Sequence, residues 1–432
     1  MRFADLRGRR VVLWGWGRET RSVAAKLSEM GVDFAVAVPD ESSSDAVVVA
    51  GPDGEAALRA ADVVIKSPGV PITSPLYVSL ATSGVVITSL SDLWIRENAG
   101  RTVAVTGSKG KSTTASALCH LLVAGGVDAS LRGNIGTSVL TEPSPPSEVV
   151  VMELSSYQAQ SLTVSPRLVV LTALFPEHQT WHGSAEAYYR DKLNSIRQGV
   201  EVVAIPDSDL LAGRVAEEAP SAQMLRMGPS TVWVEDGGDI VWADGTRLDA
   251  ESVPVIGRHQ VVNVALAAMV AEHLGASRAA VLDGIRTFRP LEHRMERIDS
   301  ADGRTWIDDS LATAPDAVVA SLSALSPEDR VAVLVGGDDR GLDVSPLVAY
   351  LRAHPDVIPL FSGPVGRRVA QEIPGARVFS SFADAAGWAG SEENAATVVL
   401  LCPGAPSFDE FASYEHKSAA FRQVAAGATS AR

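Results

Sequence analysis

Cysteines and long apolar runs are both scarce in this sequence of 432 residues. Its only two cysteines, Cys119 and Cys402, lie far apart in apolar surroundings. This disfavours a disulfide framework and a cysteine-rich metal site, and it predicts two buried thiols. No run approaches the roughly 18 apolar residues that a membrane helix needs, and no signal peptide is visible. We therefore expect a cytoplasmic protein with no membrane insertion.

Positive charge is also in deficit, with 37 Lys and Arg against 52 Asp and Glu, for a formal net charge of −15. The acidic residues are spread along the chain instead of forming runs. This charge disfavours nucleic acid and anionic membranes as partners, and an anionic substrate would need local basic pockets. With 46% hydrophobic residues, a chain of this length is expected to form two or three globular domains.

The stretch 103–114, VAVTGSKGKSTT, places a β-rich run before a glycine-rich turn and a helical pattern. Such a turn suits a nucleotide triphosphate, because glycines let backbone N–H groups approach phosphate oxygens and the helix N-terminus adds positive potential. Lys111 would reach the terminal phosphates and Ser112 would join a Mg²⁺ shell. The usual phosphate-loop spacing requires a glycine at position 105, which is Val105 here. The alternative is a Gly-Ser turn that only caps a helix.

Before this stretch, a strand over 10–16, a helix to Met30 and a strand over 33–38 predict a β-α-β start. The glycine pattern begins at Gly15 but has Thr20 where a dinucleotide site would have its third glycine. Asp40 lies at the end of the second predicted strand, where such a site has an acidic residue. We therefore favour a Rossmann-like module that holds a different nucleotide over an NAD site.

Polar turns follow several other predicted strands, where open α/β sheets place their ligand clefts. In the N-terminal part these turns contain Ser67, in Ser-Pro-Gly, and Asp92, although the first is equally explained as a simple turn. Glu153 ends the predicted strand 149–152, where a second Mg²⁺ contact belongs. His178 follows the predicted strand 168–174. A lone histidine is more often structural, but the neighbouring strand that ends at Glu153 favours a catalytic or metal role.

From Thr305 the sequence again alternates strand and helix, which predicts a further α/β unit. Polar breaks at 98–101 and 291–296 suggest three domains, covering 1–97, 98–293 and 294–432. The candidate site loops of the last domain follow its strands at 308–310, 337–341 and 403–409.

Taken in order, TGSKGKST, GNIG, ELSSYQ, the Glu-His pair, Tyr-x-x-Lys, GxHxxxN, EHRME, DDS, GGDD and SFDEF resemble the Mur ligase family. The resemblance implies an α/β fold of three domains. An N-terminal Rossmann-like domain would bind a UDP-sugar, a central P-loop ATPase domain would have a mostly parallel sheet, and a C-terminal Rossmann-like domain would bind an amino acid.

Within the family, SPGV, ELSSYQ and the segment 403–417 are most similar to the branch that joins glutamate to UDP-N-acetylmuramoyl-L-alanine in peptidoglycan synthesis. This implies ATP, two Mg²⁺ ions and an acyl-phosphate intermediate. Lys192 matches a lysine that is carbamylated in many family members, although on its helix it is also explained as solvated surface. We expect a monomer.

The resemblance also assigns site residues by motif position. It gives catalytic roles to Lys111, Lys192 and His178, and metal roles to Ser112, Glu153 and His178. Around ATP it places Gly107, Ser108, Lys109, Gly110, Lys111, Ser112, Thr113, Asn263, Arg294 and Asp309. Toward the sugar nucleotide and glutamate it places Gly15, Ser67, Asp92, Asn134, Ser155, Gln158, Leu311, Thr313, Arg340, Ser407 and Tyr414.

Three of these positions depart from the family pattern in the glutamate region. Leu311 replaces a lysine, Arg340 ends a Gly-Gly-Asp-Asp-Arg run where the family has Gly-Gly-Asp-Gly-Lys, and Tyr414 replaces a phenylalanine. Inverting Cα of glutamate moves one carboxylate if the amine stays fixed, so a relocated cation is expected to accompany a changed stereochemical preference. We hypothesise an L-glutamate ligase whose product passes to an epimerase. The alternative is a D-glutamate ligase with drifted pocket residues.

Other classes explain less of the sequence. A folylpolyglutamate synthase would show pterin-binding features, which are not evident. A nucleotide-binding module without catalysis would be expected to lack Lys111, Glu153 or His178. An NAD dehydrogenase would leave the phosphate loop unexplained.

Overall fold

The computed structural model describes residues 1–38, 48–141 and 145–427. Contacts between Cα atoms divide the chain into two compact units. The first comprises Met1–Val253 with Val262–Phe288, and the second comprises Pro254–Val261 with Arg289–Arg432. The predicted acidic partner Asp40 lies outside the described residues.

The first unit begins with a five-stranded parallel sheet, which confirms the predicted β-α-β start. Its elements are Val11–Trp14 (β1), Arg18–Glu29 (α1), Phe34–Val38 (β2), Val48–Ala50 (β3), Gly51–Ala60 (α2), Val63–Lys66 (β4), Pro75–Thr82 (α3), Val86–Thr88 (β5) and Leu90–Asn98 (α4). The strand order is β3-β2-β1-β4-β5. Every residue of β1 and β4 is buried, as expected for central strands of a parallel sheet covered on both faces.

A second parallel sheet of six strands follows in the same unit. Its elements are Thr102–Thr106 (β6), Lys111–Ala124 (α5), Ala129–Gly133 (β7), Val149–Glu153 (β8), Ser156–Ala159 (α6), Leu168–Leu171 (β9), Gln179–His182 (α7), Ala185–Arg197 (α8), Val202–Ile205 (β10), Asp209–Glu218 (α9) and Gln223–Arg226 (β11). The strand order β11-β10-β9-β6-β8-β7 places β6 between β9 and β8. The turn after β6 therefore lies beside the ends of both neighbours. The predicted strand 168–174 ends early, at Leu171.

The first unit also contains a three-stranded antiparallel sheet that the sequence analysis missed. This sheet and the two helices that follow it are Val232–Val234 (β12), Ile240–Trp242 (β13), Arg247–Leu248 (β14), Arg258–His273 (α10) and Arg278–Thr287 (α11). The first four residues of α10, 258–261, belong to the second unit. The strands are only two or three residues long, too short to show an alternating pattern. Short 3-10 turns lie at Phe3–Leu6, Ala99–Arg101 and Ala250–Ser252.

The second unit contains the predicted further α/β arrangement. Its elements are Glu296–Ile298 (β15), Thr305–Asp308 (β16), Pro315–Leu322 (α12), Val331–Val335 (β17), Ser345–Ala353 (α13), Ile358–Phe361 (β18), Gly363–Ala370 (α14), Arg377–Val378 (β19), Phe382–Gly390 (α15), Val398–Leu401 (β20) and Tyr414–Ala425 (α16). The order is β15-β16-β20-β17-β18-β19, with only β15 antiparallel to its neighbour. Because β16, β20 and β17 are adjacent, the three predicted site loops lie side by side.

The two thiols differ in burial. Cys402 is buried as predicted, whereas Cys119 on α5 is only half-buried, which corrects that part of the prediction. Among the helices of the described chain, none combines the length and apolar character that crossing a bilayer requires.

Candidate active site

The turn between β6 and α5 has the backbone of a phosphate cradle. Gly107 has φ 148° and Gly110 has φ 85°, and the helix begins directly after Gly110. A Cβ atom on Gly107 would lie 2.1 Å from Oγ1 of Thr172, and one on Gly110 would lie 2.5 Å from Oδ1 of Asn263. Only glycine therefore fits at both positions, which lie before the N-terminus of α5, where an anion is favoured.

Gly110→Ala is expected to weaken ATP binding by about tenfold, because the new methyl group displaces Asn263 and the turn with it. Gly126→Ala is the matched control. Gly126 also has a positive φ, 79°, but a Cβ atom added to it would have no atom within 4 Å. Both variants should lose about 1 kcal/mol of folding stability. Calorimetric titration with ATP separates them, and equal affinities would contradict the cradle.

The cradle is held from β9 and α8 by residues that the sequence analysis did not single out. Oγ1 of Thr172, just after β9, donates to the carbonyl of Lys109 at 2.5 Å. Tyr188 on α8 donates from its hydroxyl to Oγ of Ser108 at 2.9 Å, and Ser108 donates to the carbonyl of Phe175 at 2.8 Å. These bonds give the loop one shape before any nucleotide arrives.

Two lysines converge on the carbonyl oxygen of Gly107. Nζ of Lys111 donates to it at 3.0 Å and to the carbonyl of Ser108 at 2.9 Å. Nζ of Lys192 donates to the same carbonyl at 2.8 Å, and Lys192 is 1% exposed. Burial, followed by the charge of Lys111, holds the pKa of Lys192 well below the ordinary lysine value. Lys109 instead pairs with Glu177 at 2.7 Å on the more exposed side of the turn.

The end of β8 supplies a carboxylate next to this turn. Nδ2 of Asn134 donates to Oε1 of Glu153 at 2.7 Å. Oε2 of Glu153 is buried and has no hydrogen-bond partner within the described parts of the chain. A buried carboxylate oxygen in that state is suited to a hard cation.

His178 and Ser112 complete the predicted metal set. His178 has φ 51° at the start of α7, and burial is the main cause that lowers its pKa, which favours the neutral, ligand-competent imidazole. Ser112 and the next residue, Thr113, are both buried in the first turn of α5. The glycine cradle and the unpaired Glu153 oxygen fit a nucleotide with a divalent cation, and ligation of that ion by His178 and Ser112 stays a prediction.

The ends of β1 and β4 lie together, so the predicted substrate residues Gly15 and Ser67 that follow them are neighbours. A Cβ on Gly15 would lie 3.0 Å from Cβ of Ser67. Gln158 donates from Nε2 to Oε1 of Glu19 at 2.5 Å, and Ser155 caps α6 through Oγ. These contacts bring the first sheet and the ELSSYQ segment together within the first unit.

Asp92 is fully engaged by the protein. Its Oδ1 accepts bonds from N and Oγ1 of Thr163 at 2.7 and 2.6 Å, and its Oδ2 accepts one from Thr88 at 3.0 Å. A role in fixing α4 explains these contacts, and contact with substrate stays a prediction for this residue.

In the second unit, buried hydroxyls lie at the strand ends. Oγ of Ser310 and Oγ of Ser407 are buried and have no hydrogen-bond partner among the described residues. The guanidinium of Arg340 lies 5.6 Å from the ring centroid of Phe408, and the ring of Tyr414 packs against His293 at 5.4 Å. These side chains lie on the three adjacent loops or at the start of α16.

Asp309 is buried beside these loops. It accepts bonds from Oγ of Ser321 at 2.5 Å and from the backbone of Met295 at 3.2 Å, and burial raises its pKa to about 6. The neighbouring Asp308, which was not singled out as a site residue, accepts bonds from His293 and Arg422. Leu311 and Thr313 follow as half-buried residues, and Arg294 is exposed.

Sequence models of two protein families match this chain. The Mur ligase middle domain matches residues 105–271, and the domain described as Mur ligase, glutamate ligase domain matches residues 293–404. Together with the relatives described next, these matches place the chain in the Mur ligase family. It is an ATP-dependent ligase that forms an amide bond in cell-wall synthesis.

Two relatives that match over almost their whole length carry a more specific name within the Mur ligase family. A protein of Micromonospora sp. named UDP-N-acetylmuramoyl-L-alanine--L-glutamate ligase is 39% identical over 98% of this chain and 98% of its own length. A protein of Xanthomonas campestris with the same name is 35% identical over 98% and 97%.

Solved structures share the fold at lower identity. The UDP-N-acetylmuramate-alanine ligase MurC of Thermotoga maritima has a TM-score of 0.58 at 18% identity, covering 96% of this chain and 98% of that one. MurF of Acinetobacter baumannii has a TM-score of 0.62 at 19% identity, covering 96% and 90%. The predicted α/β fold of three domains is thereby confirmed.

Proposed function

We propose that this protein joins L-glutamate to UDP-N-acetylmuramoyl-L-alanine and converts ATP to ADP and phosphate. The observation that carries the proposal is the full-length identity of 39% to a relative that bears this name. The phosphate cradle and the two converging lysines support the ATP-dependent part. The altered residues at the strand ends of the second unit support the choice of amino acid.

The chemistry starts from a carboxylate, which is a poor electrophile. A carboxylate oxygen of the substrate's alanyl group attacks the γ-phosphorus of ATP, and the bond to ADP breaks. The amine of glutamate then attacks the acyl-phosphate carbon, and the tetrahedral intermediate expels phosphate as the amine proton is lost. The backbone N–H groups of the cradle and Lys111 would hold the phosphates in line. Mg²⁺ held by Ser112, Glu153 and His178 would neutralise phosphate charge.

Lys192 is the residue that we propose to be carbamylated. Its amine is buried and its pKa is held well below the ordinary value, which favours the neutral amine needed to attack CO₂. The neutral amine attacks CO₂, an N–C bond forms and one proton is released; counted from the ammonium form, two protons leave and a cation becomes an anion beside Gly107. That anion would suit a second Mg²⁺ ion.

The stereochemical proposal rests on where cations lie in the second unit. Leu311 offers no charge at the end of β16, whereas Arg340 lies beside Phe408 on the loops after β17 and β20. Glutamate needs both carboxylates held while its amine faces the acyl phosphate, so moving the cation changes which enantiomer fits. The product would then carry an L-glutamyl residue, and an epimerase that acts on it would be needed wherever the D-residue is required.

The test is phosphate release with ATP, Mg²⁺ and UDP-N-acetylmuramoyl-L-alanine, run in parallel with each glutamate enantiomer. Turnover with L-glutamate and at least 100-fold less with D-glutamate is the expected result. The mass of the product separates ligation from idle ATP hydrolysis, and omitting the sugar nucleotide gives the background. Selective turnover of D-glutamate would reject the stereochemical proposal and leave the ligase reaction intact.

A further inference from the structure

A buried chain of hydrogen bonds links three segments of the central sheet region. Oγ of Ser156 lies 3.0 Å from Nε2 of His182, and Nδ1 of His182 lies 2.8 Å from Oδ2 of Asp191. Ser156 and His182 are each 3% exposed and Asp191 is 5% exposed. A neutral imidazole satisfies the chain if Nδ1–H donates to Asp191 and Nε2 accepts from the Ser156 hydroxyl.

The order of these groups is that of a Ser-His-Asp catalytic triad, but their burial excludes that role. A nucleophilic hydroxyl must meet its substrate, and Ser156 is closed off from solvent. The other oxygen of Asp191 is occupied by the guanidinium of Arg190, at 3.0 Å. These three residues therefore have a structural role. They can affect the reaction only by fixing the positions of the segments that they join.

Each member of the chain is close in sequence to a residue of the metal site that the proposed function requires. The pairs are Glu153 with Ser156, His178 with His182, and Lys192 with Asp191, at separations of three, four and one residues. These pairs lie on different segments, namely the end of β8 with α6, the short helix α7 with the residue before it, and α8. The hydrogen bonds thus tie together the three segments that carry the metal site.

Aromatic packing transmits the position of His182 to its surroundings. The ring of Tyr157 lies 5.3 Å from that of His178 and 5.4 Å from that of His182. The ring of Tyr188 lies 5.3 Å from His182, and its hydroxyl reaches Ser108 in the phosphate cradle. A shift of the His182 ring would therefore disturb both the metal side and the phosphate side of the site.

We infer that Ser156, His182 and Asp191 form a positioning chain that sets the geometry of the divalent-cation site at Glu153, His178 and Lys192. The inference rests on the metal site of the proposed function. Groups that orient metal ligands typically change metal affinity by 10- to 100-fold when they are removed, even though they never touch the ion.

The experiment measures Mn²⁺ binding by the loss of the free-ion electron paramagnetic resonance signal, taken as the difference between samples with and without protein at the same concentration of a non-hydrolysable ATP analogue. Ser156→Ala removes one bond of the chain, and His182→Phe removes both bonds while keeping a ring. Ser195→Ala is the matched control, because Ser195 is also fully buried and lies on α8, but among the described residues its hydroxyl donates to the carbonyl of Lys192 and not to Ser156, His182 or Asp191. Thermal unfolding of each variant shows whether it is folded.

We expect Ser156→Ala to bind Mn²⁺ about tenfold more weakly than the wild type, and His182→Phe more weakly still, while Ser195→Ala binds as the wild type does. If His182→Phe does not fold, Ser156→Ala alone decides. Wild-type affinity in Ser156→Ala, or an equal loss in Ser195→Ala, would overturn the inference. Because binding is read without turnover, a wild-type protein that binds Mn²⁺ yet ligates neither enantiomer would refute the proposed function and leave this result intact.

Discussion

Lys192→Ala is expected to lower the rate of phosphate release by about 10³-fold, because it removes the anion proposed to hold a second cation against the phosphates. The side chain is 1% exposed, so its removal leaves a buried space beside the carbonyl of Gly107. A small carboxylate such as formate or acetate can occupy that space and restore negative charge. We therefore expect added formate to recover part of the lost rate, measured under saturating ATP and Mg²⁺.

Lys192→Arg separates a carbamate from a simple cation at this position. Arginine keeps a positive charge but cannot take up CO₂ under these conditions, so it should be as inactive as the alanine variant and insensitive to formate. An arginine variant with more than a tenth of wild-type activity would show that Lys192 acts as a cation. Removing dissolved CO₂ should also slow the wild-type enzyme, and bicarbonate should restore it.

Local sequence signals were enough to predict the strands that carry the site and the turn after β6. The runs at 103–105 and 168–171 are continuously apolar because central strands of a parallel sheet are buried on both faces. The prediction that polar residues after such strands would meet depended only on parallel strands ending at one edge. Gly15 beside Ser67 follows from that rule, whereas β7, the strand before Asn134, was not predicted and Asn134 was assigned only through the family resemblance.

Contacts between distant segments were not predictable in this way. Nothing in the sequence pairs Thr172 with the carbonyl of Lys109, or His182 with Ser156, because such contacts depend on how α7 and α8 pack. The four-residue spacing of His178 and His182 suggests two rings on one face of a helix. In the structure His178 caps α7 in a left-handed conformation instead, so the two rings belong to different parts of the site.

In the second unit too, local sequence patterns predicted the strands, whereas contacts between distant segments were not predicted. Its strand ends were predicted, but the burial of Lys417 was not. Nζ of Lys417 donates to the carbonyl of Gly336 at 2.9 Å, and this bond joins α16 to the end of β17. A lysine on an amphipathic helix ordinarily predicts solvent exposure. Only the packing of α16 against the sheet shows that this one is part of the site's support.

Lys111→Met is expected to reduce kcat for phosphate release by about 10³-fold, whereas Lys109→Met should cost less than about tenfold. Lys109 lies in the turn after β6 and Lys111 begins α5; the sequence places both around ATP but predicts a catalytic role for Lys111 alone. In the structure, Nζ of Lys111 folds over the carbonyls of Gly107 and Ser108, where it can meet the terminal phosphates, while Nζ of Lys109 pairs with Glu177. A cation that meets charge developing on the transferred phosphoryl group stabilises the transition state more than the ground state.

The pair of variants also tests what each lysine binds. The side chain of Lys109 is 56% exposed, so Lys109→Met should leave both ATP affinity and folding stability nearly unchanged. Lys111→Met should weaken ATP binding far less than it lowers kcat, because the backbone N–H groups of the cradle still hold the phosphates. Single-turnover phosphate release and calorimetric ATP titration on both variants give the two quantities. An equal loss of kcat in the two variants would mean that the turn acts through its net charge, and the specific role of Lys111 would have to be abandoned.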